Sequence, residues 1–430
     1  MPRALVAADD LTGATDTAHA FAKRGYRTAV QVDPDGAPPD ATVLAVNTDS
    51  RYVDPETAAD RVGRAIEASD ARVVYGKVDS TLRGNVASEV GAAMDRGFDL
   101  GLVAPASPAV GRITASGYHL VDGRLLSDTE YADDPNGPRS SRLPTLFEGA
   151  DRSVRHLDAG TVAAGPGAVR EAVVGTPSGT LFTCDVTHDR HLEAIARAGS
   201  DIDRRVLYVG SAGLAEHVIV PGEPDREPLE IVGDGGALGI VGSVSERSLE
   251  QLAALPGDWV IALEPEELLS DPESAGQEAG RRAAERLAAG EHAVVTAAPD
   301  RETVDRTLAV GREAGLDEGP IRDRVASALA SATRAGFDVV GQRPTASGAP
   351  LRAADPAGLF VTGGDVAMAA FDALGVSALS LSGEAIEAGI PVSRLEGGPA
   401  DGTPVVTKAG GFGGKETAVN CLRYLGGDHE

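Results

Sequence analysis

Cysteine is nearly absent from this 430-residue chain: Cys184 and Cys421 lie far apart and form no spaced pattern. A disulfide framework is therefore excluded, and a reducing compartment fits. Aromatic residues make up 4% of the chain, with a single Trp, too few to build stacking platforms for bases or sugar rings. Positive charge is also short, because 39 Lys and Arg stand against 65 Asp and Glu, a net charge of −26. A field of that sign repels nucleic acid and anionic membranes, and it obliges any anionic substrate to be met by locally gathered cations. No apolar run approaches the ~18 residues that span a bilayer, and the opening MPRALVAADDLTGA has no basic-then-apolar signal segment. The expectation is a cytoplasmic protein with small-molecule partners, no nucleic acid and no membrane, with a homo-oligomer left open. Lysine is the scarcest charge: only Lys23, Lys77, Lys408 and Lys415 occur, beside 35 arginines.

What is present is small and hydrophobic, 42% apolar with 53 glycines, in short apolar runs that alternate with helical patterns. Arg3–Ala8, Thr28–Val32, Thr42–Val46, Val73–Lys77 and Leu100–Ala104 read as strands. Helices are expected at Thr12–Arg24, Asp54–Ala68 and Asn85–Arg96. Residues 111–150, with Pro135, Pro138 and Pro144 among Gly, Ser and Asp, break the rhythm and read as a long functional excursion. The alternation resumes at Leu181–Cys184, His191–Ala198, Val206–Val209 and a helix from Ala212. Prolines and acids cluster in Val220–Gly236, which marks a domain boundary. Beyond it come strands at Ala237–Val241, Trp259–Leu263, Ala293–Thr296, Gly358–Val361, Ser377–Leu381 and Pro404–Thr407. Helices are expected at Glu246–Leu255, Ser274–Ala289, Ile321–Ala335 and Val366–Leu374. The predicted fold is two α/β domains, 1–220 and 237–430, joined by a linker at 221–236, with mainly parallel sheets facing a shared interdomain cleft.

In open parallel sheets, ligands bind in the loops beyond the carboxyl ends of strands. Three consecutive loops there are unusually polar: Asp9-Asp10-Leu11-Thr12-Gly13, Asn47-Thr48-Asp49-Ser50-Arg51 and Lys77 through Asn85. A fourth runs from Ala104 to Arg112. They deliver Asp9, Asp10, Arg51, Lys77, Asp79, Ser80, Arg83, Asn85 and Arg112 toward one place. Such a set grips a carboxylate with its cations and hydroxyls with its Asp and Asn. Where Arg is preferred nearly nine to one, a Lys retained at a strand end marks a need for a compact ammonium, and Lys77 and Lys408 both sit there. In the second domain, three Gly-rich strand-to-helix turns fall in matching places: Gly242-Ser243-Val244-Ser245, Gly363-Gly364-Asp365 and Ala409-Gly410-Gly411-Phe412-Gly413-Gly414. Together they suggest a nucleotide's phosphates approached by backbone N–H groups. The last turn fails as a P-loop because Ala409 and Glu416 stand where Gly and Ser or Thr are required. Cys184, His188 and His191 have ligand-like spacing but lack a fourth partner, and no GxSxG elbow is present.

Taken together, ADDLTGA at 8–14, KVDSTLRGN at 77–85, PASPAVGR at 105–112, GSAGLA at 210–215, GSVSERSLEQL at 242–252, TGGDVA at 362–367, GEAIEAGIP at 383–391 and TKAGGFG at 407–413 resemble the four-carbon acid sugar kinases. That family phosphorylates tetronates such as threonate, erythronate and 3-oxo-tetronates with ATP. The resemblance implies a sugar acid held by the N-terminal domain and a nucleotide held by the C-terminal one. ATP is then expected at Ser243 or Ser245, at the turn Gly363, Gly364, Asp365 and Val366, and at Gly410 and Gly411. Asp10, with Asp79 as the other candidate, is implied as the base that takes the hydroxyl proton. Lys77, Arg51 and Arg83 are implied on the substrate carboxylate, Asp365 on Mg²⁺ and Lys408 near the transferring phosphate. Three positions depart from the family pattern: Ser107 for a common Phe, Val366 for a usual Thr and Ala388 for a Pro. A sugar-acid sensor, and an oxidoreductase or aldolase acting on the same acids, are the competing readings; no G-x-G-x-x-G follows the first strand, which weighs against a dinucleotide.

Overall fold

The computed structural model describes residues 1–34, 36–227, 229, 233, 235–338 and 356–428. The chain divides into two compact units, Met1–Glu227 and Pro228–Glu430. Of the expected linker, residues 228, 230–232 and 234 lie outside the described residues.

The first unit is built on β1 (Ala4–Ala8), β2 (Thr28–Gln31), β3 (Val43–Asn47), β4 (Val73–Lys77) and β5 (Leu100–Ala104). Apart from two partly exposed positions in β4, all their residues are buried, as strands covered by helices on both faces must be. The excursion folds into a separate antiparallel sheet of β6 (Arg112–Ala115), β7 (Tyr118–Val121) and β8 (Arg124–Leu125). Its two turns are the pairs Ser116-Gly117 and Asp122-Gly123, all at φ between 50° and 79°, the left-handed pairs that match strand twist in two-residue hairpins. The chain returns to the main sheet with β9 (Val154–Leu157), β10 (Thr180–Cys184) and β11 (Val206–Gly210). The order is β2-β3-β1-β4-β11-β5-β10-β9 and every pairing is parallel. Helices connect the strands, several capped by acids: Asp54 accepts from the N–H groups of Glu56 and Thr57, and Asp158 from that of Thr161.

The second unit contains β12 (Leu238–Val241), β13 (Val260–Ala262), β14 (Ala293–Thr296), β15 (Leu359–Thr362), β16 (Ala378–Glu387), β17 (Ile390–Glu396) and β18 (Pro404–Lys408). Their order is β13-β14-β12-β15-β18-β17-β16, the first five parallel and β17 antiparallel to both neighbours. The mainly parallel two-domain α/β expectation therefore holds.

The differences are local. Strand β16 runs six residues past the expected Leu381 and turns at Gly389 (φ 76°) into β17, where no strand was expected. Glu384 and Glu387 give that hairpin a polar sequence, and its pairing supplies what its hydrophobicity does not. Strand β9 was also missed, because an edge strand reading Val-Arg-His-Leu carries too little apolar signal. Helices at Ala159–Ala163, Pro166–Val173, Pro265–Ser270 and Arg301–Glu313 were likewise not anticipated. Among the described residues, no helix is long and apolar enough to cross a membrane.

Candidate active site

In the first unit, strand register brings the polar loops together. Ala8 pairs with Asn47 on one side and with Lys77 on the other, and Lys77 pairs with Gly210, so the four strand ends lie abreast. The chain goes from β1 out to β2, returns through β3 and crosses to β4, which makes this edge the crevice where strand order reverses.

Asp9 and Asp10 leave β1 in different directions. Asp10 caps the helix Leu11–Ala22, its Oδ1 accepting from Gly13 N at 2.7 Å, while its Oδ2 meets Arg51 Nη1 at 2.7 Å. Asp9 turns inward; its Oδ2 accepts from Arg51 Nε at 2.7 Å, and its buried Oδ1 has no hydrogen-bond partner among the described residues. One guanidinium thus fixes both carboxylates. Burial raises the Asp9 pKa, Arg51 and Lys77 oppose that, and Asp10 adds to it. Asp79 shows the opposite balance. Burial works to raise it, but Arg51, Arg83 and Lys77 together hold its carboxyl well below the ordinary range. Arg83 Nε donates to Asp79 Oδ2 at 2.6 Å and Thr81 Oγ1 to the same oxygen at 2.5 Å. Exposure separates the three acids: their side chains are 1% (Asp9), 30% (Asp10) and 13% (Asp79) exposed.

Lys77, 6% exposed, reaches the same corner. A Cβ on Gly13 would lie 2.5 Å from Asp10 Oδ1 and 2.6 Å from Lys77 Nζ, so the glycine makes room for both groups. Arg83 stacks over Tyr131, 5.5 Å from the ring centroid, and Arg112 Nη2 donates to the Tyr131 hydroxyl at 3.3 Å. The structure thus draws Arg83 and Arg112 together through an excursion residue that the sequence did not single out. Asn85 is committed elsewhere: its Nδ2 donates to the carbonyls of Ser50 and Val53, both at 2.9 Å, and ties two loops together. The Ser80 side chain is half-buried, and its carbonyl is held by His119.

Two further buried groups carried no sequence signal. Ser50 Oγ donates to Glu89 Oε1 at 2.6 Å and contacts Thr48 Oγ1 at 2.8 Å, which in turn donates to Ala8 O at 2.9 Å. Burial, then the charge of Asp9, pushes the Glu89 carboxyl up to about 8. His119, fully buried, is pulled down to about 4, by burial first.

In the second unit, Val241 pairs with Thr362, and Thr362 with Lys408, so the three glycine turns also emerge side by side. Ser245 caps the helix Glu246–Ala254 by accepting from Ser248 N, and donates to Gly410 O at 2.9 Å; Ser248 Oγ donates to the same carbonyl at 3.1 Å. A Cβ on Gly410 would fall 2.2 Å from Ser243 Oγ, whereas among the described residues nothing lies within 4 Å of the Cβ position of Gly364, Gly411 or Gly414. Gly363, at φ 101°, brings its backbone against Ser243 N. Val366 is buried and packs under Gly242, away from solvent. Lys408 lies beneath the last turn with its Nζ donating to the carbonyls of Ala409, Gly410 and Phe412 at 3.0, 3.2 and 3.3 Å. Burial lowers this ammonium to about 8. Thr362 Oγ1, buried at the end of β15, has no hydrogen-bond partner among the described residues.

Residues 4–218 match the family model of a sugar-binding N-terminal domain, and residues 238–418 that of a nucleotide-binding C-terminal domain. The chain is 32% identical to a D-threonate kinase of Salmonella typhimurium LT2 over 98% of each protein. This chain belongs to the four-carbon acid sugar kinase family. A D-erythronate kinase of Heliobacterium modesticaldum is 30% identical over 99% of this chain and 97% of its own. The fold is shared with a Salmonella typhimurium LT2 crystal structure described as a tRNA synthase, at TM-score 0.79 and 21% identity over 98% of both chains.

Gly364 and Gly411, each next to a glycine that meets Ser243, leave open space of the kind that lets a phosphate approach the backbone. Asp365 is exposed in the first turn of the helix Gly364–Ala373. No group of three or more His, Cys, Asp or Glu suited to a metal occurs among the described residues. One carboxylate suits Mg²⁺ carried mainly on phosphate oxygens and water rather than in an all-protein cage. A cavity of about 330 Å³ lined by Arg142, Pro144, Glu148, Arg152, Val154, Arg155 and His156 contains none of the candidate site residues.

Proposed function

We propose that this kinase transfers the γ-phosphoryl group of ATP to the terminal hydroxyl of D-threonate or a close four-carbon acid, giving the 4-phosphate and ADP. The observation that carries the reading is the corner where Asp10, Lys77 and Arg51 meet at abreast strand ends, with Arg83 on the loop that leaves one of them. Arg83, 26% exposed at its side chain, and Lys77 supply the cations for the substrate carboxylate. Arg51, 9% exposed and bonded to Asp9 and Asp10, acts by orienting those two acids. Asp10 is the base: it is the most exposed of the three carboxylates, whereas Asp79 is locked by Arg83 and Thr81 as a weakly basic anion.

The new bond joins the substrate's terminal oxygen to phosphorus, the bond from phosphorus to the bridging oxygen of ADP breaks, and the hydroxyl proton passes to Asp10. Ser243, Ser245, Gly363, Gly364, Gly410 and Gly411 hold the nucleotide, and Lys408 shapes their loop from beneath. Mg²⁺, with Asp365 as its protein ligand, would neutralise charge on the phosphates.

The test is to incubate the full chain with MgATP and D-threonate, D-erythronate, L-threonate and a 3-oxo-tetronate, following ADP and the phosphorylated product by ³¹P NMR. ADP formation with at least one four-carbon acid is expected. Binding of these acids without ADP would replace the kinase with the sensor reading.

A further inference from the structure

Leu82 adopts φ 56°, a left-handed conformation that is strained for a bulky, buried side chain. It sits in the middle of the loop that presents Asp79 and Arg83. Such strain persists only where surrounding structure over-determines the backbone. The Leu82 side chain is 1% exposed in the hydrophobic core, which anchors the loop from within. From without, the excursion holds the loop on both sides of the strained residue. Gly84 N donates to Asn136 O at 2.8 Å, and His119 Nε2 lies 2.9 Å from Ser80 O.

The chemistry fixes how His119 makes its bond. A carbonyl only accepts, so Nε2 carries the proton; Nδ1 of the neutral ring then accepts from the Thr114 hydroxyl at 3.0 Å. Burial, together with the charge of nearby Arg112, favours that neutral form. The hairpin behind the ring is itself pinned. Thr114 and Val186 exchange two backbone hydrogen bonds at 2.8 Å, and Asp185 accepts from Ser116 N and Gly117 N at 2.9 and 2.8 Å.

We propose that His119 is a positioning residue for the sugar acid, its Nε2–H holding the Ser80 carbonyl so that the strained 79–83 loop presents Arg83 to the substrate carboxylate. This rests on the kinase reading above and deepens it: His119 touches no substrate and acts through the loop. Removing the donor leaves a partly buried carbonyl without its His119 bond and lets Leu82 relax, which moves Arg83 while leaving the second unit's glycine turns untouched.

The test compares H119N, whose amide reaches the Nδ1 position but not Nε2, with H119Q, whose amide reaches Nε2. H119N is expected to raise the KM for D-threonate about 10-fold, with the KM for ATP within twofold of wild type, and H119Q to recover most of the loss. Amide hydrogen exchange in the ligand-free protein provides a readout independent of activity: H119N accelerates exchange at residues 80–84 and leaves 409–414 unchanged. Thr114→Val, which keeps the side-chain shape and removes only the hydroxyl, should give the same pattern in milder form, about threefold, and serves if H119N does not fold. An unchanged D-threonate KM and unchanged exchange, or an equal rise in both KM values, overturns the proposal. If wild type phosphorylates no tetronate but H119N still loosens 80–84, the kinase reading falls and the positioning role of His119 stands.

Discussion

Glu89 is a carboxyl that the fold keeps protonated. It lies in the helix Val86–Met94, 5% exposed, accepting from Ser50 Oγ at 2.6 Å, and burial and the charge of Asp9 push its pKa from 4.5 to about 8. A group whose folded pKa exceeds its unfolded value adds stability relative to its ionised form only while protonated. Between pH 4.5 and 8 the unfolded chain has released this proton and the folded chain has not, so stability falls as pH rises through that window. At about 1.36 kcal/mol per pH unit, the full window corresponds to an upper limit of roughly 5 kcal/mol. Glu89→Gln copies the protonated acid in shape and hydrogen bonding but cannot ionise. The expected outcome is a Tm equal to wild type near pH 4.5, an advantage that grows steadily to pH 8, and a plateau above it. The assay is thermal unfolding of both proteins from pH 4.5 to 9 at constant ionic strength. A difference in Tm that does not change with pH would refute the argument, because it would mean that Glu89 carries the same charge folded and unfolded.

Two substitutions probe the two loop sets separately. Lys77→Ala should lower kcat/KM for the sugar acid at least 100-fold and Lys77→Arg at least 10-fold, since Gly13 leaves space for an ammonium and not for a planar guanidinium; wild-type turnover in the arginine variant would refute this. Gly410→Val should raise the KM for ATP about 10-fold while sparing that for the sugar acid, because its Cβ would fall 2.2 Å from Ser243 Oγ; an unchanged ATP value would remove Gly410 from the nucleotide cradle.

The parallel strands were legible because each is a short, wholly apolar run that ends in a burst of polar residues, and register alone then sets Ala8, Asn47, Lys77 and Gly210 abreast. The hairpins of the excursion were legible in principle, since Asp122-Gly123 between Val121 and Arg124 is a two-residue turn signal, but the surrounding prolines masked it. Glu89 was not legible: on a helix face it reads as an ordinary surface charge, and only the tertiary contact with Ser50 reveals a buried acid. The same limit applies to Asn85, because no pattern in the chain distinguishes an amide facing a ligand from one spent on the carbonyls of Ser50 and Val53.

Lysine scarcity has a structural counterpart that is narrower than catalysis. Lys23 and Lys415 are exposed, Lys23 pairing with Glu216 at 2.7 Å, and such positions accept either base. Lys77 and Lys408 are 6% and 1% exposed, each a thin stem threaded to a point where a glycine or a ring of carbonyls leaves room for one nitrogen. A guanidinium adds two heavy atoms and a fixed plane at that point. In a chain that otherwise writes arginine, these two lysines mark where the space around a buried charge is the constraint, and so where Arg and Lys stop being alternatives.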